Sequence, residues 1–385
     1  MWAGACTSSI GTWMQKLAQS WLVLEISGNP FLLGLDSFLG EIPIFLFSMV
    51  GGVVADRMDR RHLLLVSQFI QMACAFFLAG MFAWGHVQVW HILCLSFIVG
   101  MAQAFGGPAY SALIPTLVSS EDLPNAIALN SIQFNVARVI GPVLGGLALT
   151  KLGASWCFSL NGASFVAVIV TLILVKSRFK PDGVKASMMQ SMKQGIQFVR
   201  SKDGMEPLIA LAFLMTMLGI PLIVFLPVFA KDVFHQGPST YTMLLVTSGL
   251  GSILGALLVA TFHKGRQKGL VALVMIMFFG LFVTGFALSP WLPLSCLLLF
   301  LASAALMTVF SLVSSLVQLI TTDQMRGRVM SVYNVAFRGG MPFGSLLVGM
   351  LVKDFTAPVV IAVNGVLLVC LGAYFLTMHK KVAAI

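Results

Sequence analysis

The sequence predicts an all-α polytopic membrane protein with twelve transmembrane helices in two pseudo-symmetric six-helix bundles. Three observations predict this fold: the apolar composition, the spacing of long apolar runs, and a repeat that relates the two halves of the chain. Hydrophobic residues make up 58% of the chain and charged residues 9%, and the mean hydropathy is +0.97. Lipid is therefore the expected solvent for most of the surface.

Twelve apolar runs are long enough to cross a membrane. Because hydrocarbon offers the backbone no hydrogen-bond partners, each run is expected to form a helix of about 20 residues. The predicted cores are 2–24, 31–55, 63–84, 89–113, 130–149, 154–175, 208–229, 241–262, 270–288, 292–320, 329–351 and 359–377.

Lysines and arginines are distributed unevenly between the connections. Connections after odd-numbered runs contain only Lys151, Lys231 and Lys353. The connections after even-numbered runs and the C-terminal tail contain Arg57, Arg60, Arg61, Lys176, Arg178, Lys180, Lys185, Lys193, Arg200, Lys202, Lys264, Arg266, Lys268, Arg326, Arg328, Lys380 and Lys381. The positive-inside rule places this larger group and both termini in the cytoplasm, with the protein in the cell (inner) membrane. The net charge of +10 is then a topology signal with a secondary attraction to anionic lipid, and nucleic acid is not an expected partner.

The first run begins at Trp2 with no polar leader. We expect the start to be truncated or misassigned, because a cytoplasmic tail normally precedes such a crossing. A cleaved signal peptide is the competing explanation, but the basic segment and the small-residue cleavage site typical of one are missing.

The chain is expected to divide into an N-terminal bundle (1–175), a cytoplasmic linker (176–207) and a C-terminal bundle with a short cytoplasmic tail (208–385). Within the linker, Met188, Met192, Ile196 and Val199 fall on one face of a helix. This spacing predicts a short amphipathic helix between the bundles.

The two halves repeat each other. At an offset of 200, Arg138 aligns with Arg338 and Pro142 with Pro342. Parallel six-helix repeats are typical of transporters in which one half rocks against the other around a site near the membrane midplane.

Other classes of function are disfavoured. The six cysteines lie singly inside apolar runs, so no disulfide, metal site or cofactor is expected. No zinc-protease motif or nucleophile elbow points to an intramembrane enzyme, and no filter-like loop points to a channel.

Several motifs resemble those of the major facilitator superfamily. The loop GGVVADRMDRRH, 51–62, resembles its Gly-x-x-x-Asp-Arg-x-x-Arg-Arg signature, and RVIGPVLGG, 138–146, resembles the Gly-Pro motif of its drug/proton antiporters. SSIGTWMQ, 8–15, and MRGRVMSVYN, 325–334, are similar to the branch of enterobactin and macrolide exporters. The resemblance covers nearly the whole chain. It implies a secondary transporter that exports hydrophobic or amphiphilic small molecules, such as a drug or siderophore, by proton antiport with alternating access.

The chain departs from that branch at ionisable positions. It has Glu41 where an amide is usual and Asp36 where an apolar residue is usual, whereas Gly107 and Tyr110 replace an acid and a base in the fourth run. Ionisable groups have moved from the fourth run to the second, so the coupling residues of relatives do not transfer to this chain.

Charged residues inside the runs are the candidates for proton coupling, because a charge in hydrocarbon is costly unless paired or wetted. Lys16 and Glu41 each lie about ten residues, or about 15 Å, below the outer surface, and are expected to be close enough to pair. Glu41 is then either a proton carrier or half of a static ion pair. Asp36 lies nearer the surface and is expected to be a wetted vestibule residue.

Aromatic, methionine, glutamine and arginine side chains are the candidates for the substrate cavity. They are Trp13, Gln15, Phe38, Phe105, Tyr110, Phe134, Arg138, Met215 and Arg338. Soft apolar walls of this kind suit lipophilic or amphiphilic substrates. Arg138 and Arg338 are expected to bind an anionic group of the substrate or a helix carbonyl, or to make structural pairs.

The cytoplasmic loops predict a gate. Asp56 is expected to cap the eleventh helix, and Arg57, Arg60 and Arg61 are expected to pair with loop carboxylates. The gate candidates are Gly52, Asp56, Arg57, Arg60, Arg61, Glu121, Asp122, Asp323, Arg326 and Arg328. In the fifth helix, Gly141, Pro142, Gly145 and Gly146 are expected to serve close packing or movement.

The expected partners are a small-molecule substrate, protons and membrane lipid, with the protein acting as a monomer. The alternative function is a proton-coupled or lipid-moving carrier of one specific metabolite.

Overall fold

The computed structural model describes residues 2–174, 188–261 and 267–378, and these form helices and short connections. We number the helices α1 to α13. They are Trp2–Ser27, Pro30–Arg57, Arg60–Ala83, Val89–Leu113, Leu123–Lys151, Ala154–Leu174, Met188–Ser201, Met205–Val224, Pro238–Thr261, Lys268–Leu288, Leu292–Ile320, Arg326–Leu351 and Ala357–Met378. The predicted cytoplasmic charges Lys176, Arg178, Lys180, Lys185, Lys264, Arg266, Lys380 and Lys381 lie outside the described residues.

Each predicted crossing corresponds to a helix, and α7 is the additional short helix of the linker. Within the described residues, ten helices are long and apolar enough to cross a membrane. The other two long helices, α1 and α12, match them in length but contain more polar residues. The seventh crossing is less regular than predicted: α8 ends at Val224, and short helical segments at Leu226–Val228 and Phe229–Val233 extend it past Pro227.

Local sequence signals set the turn from α1 into α2 and the start of α3. Gly28 has a φ of 61°, a left-handed conformation that glycine adopts without strain. The Asn29 side chain then accepts a hydrogen bond from the Phe31 amide at 3.0 Å, while Pro30 occupies the first position of α2. Asp59 caps α3 in the same way by accepting from the Arg61 amide at 2.9 Å.

The chain separates into two compact units. The first contains residues 1–185 and 237–246, and the second contains 186–236 and 247–385. The helix α7 belongs to the second unit, where Gly195 lies against the backbone of Arg328 and Val199 is buried. Domain boundaries at 175 and 207 stay predictions, since residues 175–187 of the proposed linker are not described.

Corresponding helices approach each other closely in the two units. In the first, Gly141 and Gly145 of α5 lie against Trp13 and Met14 of α1. In the second, Gly344 of α12 lies against the backbone of Met217 in α8, as does Gly340 against that of Phe213. A side chain at these glycines would meet backbone atoms, so the absence of a Cβ permits the approach.

Asparagines link a second pair of corresponding helices. Asn161 of α6 donates to Gln15 of α1 at 2.6 Å, and Asn364 of α13 donates to the Leu218 carbonyl of α8 at 3.1 Å. Both bonds join residues 146 positions apart. The internal repeat therefore extends to buried polar contacts.

Large apolar side chains cover much of the outer surface. Phe69, Phe77, Val170 and Leu257 are examples with about half of the side chain exposed. Surfaces of this extent are typical of lipid contact.

Candidate functional site

Asp36 of α2 is buried, with 8% of its surface exposed. Gln19 of α1 donates to both carboxylate oxygens, at 3.1 Å to Oδ1 and 2.9 Å to Oδ2. Ser96 of α4 donates to Oδ1 at 2.5 Å. The prediction of a wetted vestibule residue is wrong, because the Asp36 carboxylate is buried between its own helix and the neighbouring helices α1 and α4, although Asp36 is only a few residues from the start of α2.

A chain of amides extends from Asp36 across the first unit. Gln15 donates to Gln19 Oε1 at 3.4 Å, and Asn161 of α6 donates to Gln15 Oε1 at 2.6 Å. Each amide thus donates in the direction of the carboxylate. Such aligned hydrogen bonds polarise one another where water is scarce. The chain connects α6, α1 and α2 through side chains alone.

The predicted cavity residues Trp13, Phe134 and Arg138 meet at the face shared by α1 and α5. The ring of Trp13 has Lys16 Nζ 5.5 Å and Arg138 Cζ 5.9 Å from its centroid. Phe134 packs edge-on against that ring, with centroids 6.2 Å apart, and is 56% exposed. We call these four side chains the aromatic wall.

The negative face of the Trp13 ring attracts the cationic groups of both Lys16 and Arg138. They leave the surface of the aromatic wall apolar and positively charged. This combination attracts ligands that carry both an apolar body and hydrogen-bond acceptors or negative charge.

Tyr110 contributes to a second polar cluster. Its hydroxyl donates to Asn130 Oδ1 at 3.1 Å and lies 3.5 Å from Gln133 Oε1. Gln133 in turn donates to Ser9 Oγ at 2.9 Å. The cluster joins α4, α5 and α1, and the Tyr110 side chain in it is partly buried.

The remaining residues predicted for the substrate cavity differ in burial. Phe38 and Phe105 are partly buried, and Arg338 is exposed on α12. Met215 is fully buried in the second unit, and its place in a substrate cavity stays a prediction. Lys16 lies against the Trp13 ring in the aromatic wall, and the Lys16–Glu41 pair stays a prediction.

Arg60 and Arg61, the first two residues of α3, donate hydrogen bonds to carbonyls at the ends of other helices. Arg61 donates to the carbonyls of Leu172 and Ile173 in the last turn of α6, both at 2.6 Å. Arg60 donates to the carbonyls of Ala55 and Ala112 at 3.2 Å, near the ends of α2 and α4. Carbonyls at helix ends lack intrahelical partners and favour cations.

Within the described residues, neither Arg60 nor Arg61 forms an ion pair within 4.0 Å with the predicted partners Glu121, Asp122 and Asp323, so these pairs stay a prediction. Arg60 forms an ion pair with Asp56 at 3.6 Å, and Asp122 accepts a hydrogen bond from Ser119. Two other members of the proposed gate have local contacts. Asp323 pairs with Arg326 at 2.6 Å, and a guanidinium nitrogen of Arg328 lies 3.4 Å from the sulfur of Met325. Arg57 and Glu121 are exposed, and Gly52 borders open space. Capping of the eleventh crossing by Asp56 stays a prediction.

The described residues contain no group of three or more His, Cys, Asp or Glu that could hold a metal ion.

A family model described as a transmembrane secretion effector, within the major facilitator superfamily, matches residues 1–384. The chain belongs to this family. Macrolide efflux protein A of Streptococcus pyogenes is 22% identical over 97% of this chain and 93% of its own length. The enterobactin exporter EntS of Citrobacter koseri is 26% identical over 88% of this chain and 81% of its own.

The fold of this facilitator is shared with solved transporters. The crystal structure of a bacterial homologue of the human lysosomal transporter Spinster matches with a TM-score of 0.76 at 15% identity, over 99% of this chain and 96% of that chain. The predicted superfamily and fold class are confirmed. The protein is a multi-pass membrane transporter of the efflux type for small molecules, and not an enzyme.

Sequence reasoning missed Gln19, Ser96 and Asn161. These three residues are neutral, whereas the candidates for proton coupling were predicted from their charge. A signal was present, because Gln15 and Gln19 lie four residues apart and therefore on one face of an otherwise apolar helix.

Proposed function

We propose that this facilitator exports amphiphilic, largely apolar small molecules in exchange for protons, and that Asp36 binds the proton. The observation that carries the proposal is the buried Asp36 carboxylate in its hydrogen bonds with Gln19 and Ser96. A carboxylate inside the hydrophobic part of a transporter is retained at a cost in stability, and such groups mark proton pathways.

The partners of Asp36 suit a group that gains and loses a proton. Its hydrogen-bond donors are neutral, and within the described residues no lysine or arginine forms an ion pair with it within 4.0 Å. Protonation therefore strands no directly paired cation. The protonated carboxyl can donate to Ser96 Oγ, because a hydroxyl oxygen both donates and accepts.

Helix α1 connects the proton site to the aromatic wall. Gln15 and Gln19 face the carboxylate network, while Trp13 and Lys16 belong to the aromatic wall. A substrate that binds at the aromatic wall and displaces α1 changes the hydrogen bonds that Gln19 donates to Asp36. This is the proposed route by which substrate and proton influence each other during alternating access.

The substrate class follows from the chemistry of the aromatic wall and agrees with the activities named for the relatives, macrolide efflux and enterobactin export. Trp13 and Phe134 offer apolar contact, and Lys16 and Arg138 offer positive charge. Amphiphiles with acceptor oxygens fit both.

The proposal includes the setting of the protein. The positive-inside distribution of charge supports a location in the inner cell membrane with both termini cytoplasmic, in contact with anionic lipid. A single chain containing both repeats is sufficient for transport, so we propose a monomer.

Transport into inverted membrane vesicles tests the proposal, with radiolabelled erythromycin and enterobactin as probes. An imposed proton gradient should drive accumulation of at least one probe by the wild type. Asp36→Asn should abolish gradient-driven accumulation but retain exchange of labelled for unlabelled probe without a gradient. Glu41→Gln is the matched carboxylate control and should still accumulate the probe.

Gradient-driven accumulation by Asp36→Asn would overturn the assignment of the proton site. Equal accumulation by the wild type with and without the gradient would overturn proton exchange itself.

A further inference from the structure

We propose that a cavity between the end of α11 and the start of α12 binds the anionic, oxygen-rich headgroup of an amphiphile. The cavity has a volume of about 580 Å³, within the range of small-molecule sites. It is lined by Phe310, Ser311, Ser314, Ser315, Gln318, Leu319 and Arg326. The inference rests on the proposed export function and deepens it by naming the class of headgroup.

The polar lining residues share one face of α11. Ser311, Ser314, Ser315 and Gln318 have the spacing of neighbours on a helix surface. The residues of the opposite face, Leu312, Val313, Leu316 and Val317, are at most 2% exposed. The apolar face of α11 thus packs inside the bundle, and its polar face lines the cavity.

An aromatic stack supports one side of the cavity. Phe310 packs against Phe337 with centroids 4.6 Å apart, and Phe337 stacks on Tyr333 at 6.1 Å. The Tyr333 hydroxyl is buried and has no hydrogen-bond partner among the described residues. A buried hydroxyl of this kind is an additional donor beside the cavity.

Arg326 determines the charge of the ligand. It is the one cation among the lining residues, and its ion pair with Asp323 at 2.6 Å joins two exposed side chains. Exposed pairs contribute little free energy, so the guanidinium can turn to a ligand in the cavity. Arginine binds carboxylates and phosphates through two parallel hydrogen bonds.

Together these groups select a headgroup rich in acceptor oxygens, with an apolar part against Phe310 and Leu319. The connection between α11 and α12 is on the predicted cytoplasmic side, where an exporter collects its substrate. A carboxylate-bearing small molecule and the headgroup of an anionic lipid share this chemistry.

Fluorescence titration of the full-length protein in detergent tests the site without any proton gradient. The probes are 11-(dansylamino)undecanoic acid and its neutral primary amide, which differ only in the headgroup. The wild type should bind the acid about tenfold more tightly than the amide, as expected for a charge-assisted contact. Equal affinity for the two probes would overturn the proposal.

Variants locate the binding. Arg326→Gln should remove the preference for the acid, and Arg326→Lys should keep most of it. Arg328→Gln is the matched control, since that arginine is nearby but outside the lining. Ser315→Trp should fill the cavity and weaken both probes, whereas Ser331→Trp, at an exposed position of α12, should not. Unchanged binding by folded Arg326→Gln or Ser315→Trp would overturn the site.

Nanodiscs distinguish the two sources of headgroup. Displacement of the acid by phosphatidylglycerol, but not by phosphatidylcholine, would support the site with a lipid occupant. Binding unaffected by either lipid would support a soluble acid.

The inference can fail independently of the proposed function. Asp36→Asn should bind both probes like the wild type, because Asp36 lies in the first unit. Proton-driven export retained by Asp36→Asn, together with intact probe binding, would therefore contradict only the assignment of the proton site.

Discussion

Gln19 donates hydrogen bonds to both carboxylate oxygens of Asp36, at 3.1 and 2.9 Å, and so joins α1 to α2 inside the first unit. Hydrogen bonds to a buried charged group contribute more to stability than those between neutral groups. The same contact therefore has a structural role and a role in proton binding.

Replacing Gln19 tests the structural role. Gln19→Met keeps the length of the side chain but removes its donors, which should lower the free energy of unfolding by about 1–3 kcal/mol. Thermal unfolding in detergent measures the change. The double variant Gln19→Met/Asp36→Leu should recover most of the loss, because no buried carboxylate remains to be satisfied.

Gln68→Met on α3 is the control, since the Gln68 side chain makes no hydrogen bond with the described residues. Equal stability of the single and double variants would contradict the expected recovery and the need of the buried carboxylate for its Gln19 donor.

Trp13 is expected to determine affinity at the aromatic wall. Trp13→Leu removes the ring that faces Lys16 and Arg138, and leaves the two cations without the attraction of its π-face. The apparent KM for the exported probe should rise about tenfold, with a smaller rise for Trp13→Phe.

Trp156→Leu serves as the matched control, because Trp156 is exposed on α6. A similar KM for the wild type and Trp13→Leu would remove Trp13 from the proposed substrate surface.

Gly141 is predicted to tolerate no side chain. A Cβ at this position would overlap with Trp13 Cβ and the Ile10 carbonyl oxygen. Overpacking of this kind costs about 1–3 kcal/mol, so Gly141→Ala should lower the unfolding temperature. Gly80→Ala should have the opposite effect or none, because a Cβ there meets no neighbouring atom and alanine favours helix by about 1 kcal/mol. A loss of stability in both variants would point to glycine conformation instead of helix packing.

The twelve long helices and the efflux-transporter family were predictable from the sequence. Hydrophobic length and charge asymmetry are properties of each segment and need no knowledge of its neighbours. The internal repeat added the grouping into halves, because Arg138 and Arg338 recur at a fixed offset.

Side-chain partners were less predictable. The depth of Asp36 could be estimated by counting residues, but its burial depends on Gln19 and Ser96, which are distant in sequence or neutral. Lys16 was expected beside Glu41 because equal depth on adjacent helices was the only available constraint. The face of each helix that meets a neighbour is set by packing across the bundle, as the contact of Gly141 with Trp13 illustrates.

Arg61 has partners that the sequence did not indicate. The sequence predicted that Arg57, Arg60 and Arg61, near the ends of α2 and α3, pair with carboxylates of the loops. Carbonyls at helix ends are competing acceptors, because they lack intrahelical partners. Arg61→Met should release the carbonyls of Leu172 and Ile173 and fray the last turn of α6. Hydrogen exchange of the amides of residues 170–174 should accelerate, while exchange in α1 stays unchanged.

Two control variants separate the explanations for Arg61. Arg57→Met removes an exposed arginine from the same loop and should leave exchange as in the wild type. Glu121→Gln should also have no effect. If Glu121→Gln accelerated hydrogen exchange at residues 170–174 as much as Arg61→Met does, the result would support the predicted ion pair between Arg61 and Glu121.

Orientation in the membrane follows from the charge asymmetry and can be tested at two exposed lysines, Lys202 and Lys353. In a background without the six native cysteines, Lys353→Cys should react with a membrane-impermeant maleimide in intact cells. Lys202→Cys should react only in inverted vesicles, because the lysine-rich and arginine-rich connections are retained in the cytoplasm. Labelling of both positions from the same side would contradict an odd number of crossings between them, and reversed labelling would contradict the cytoplasmic placement of the termini.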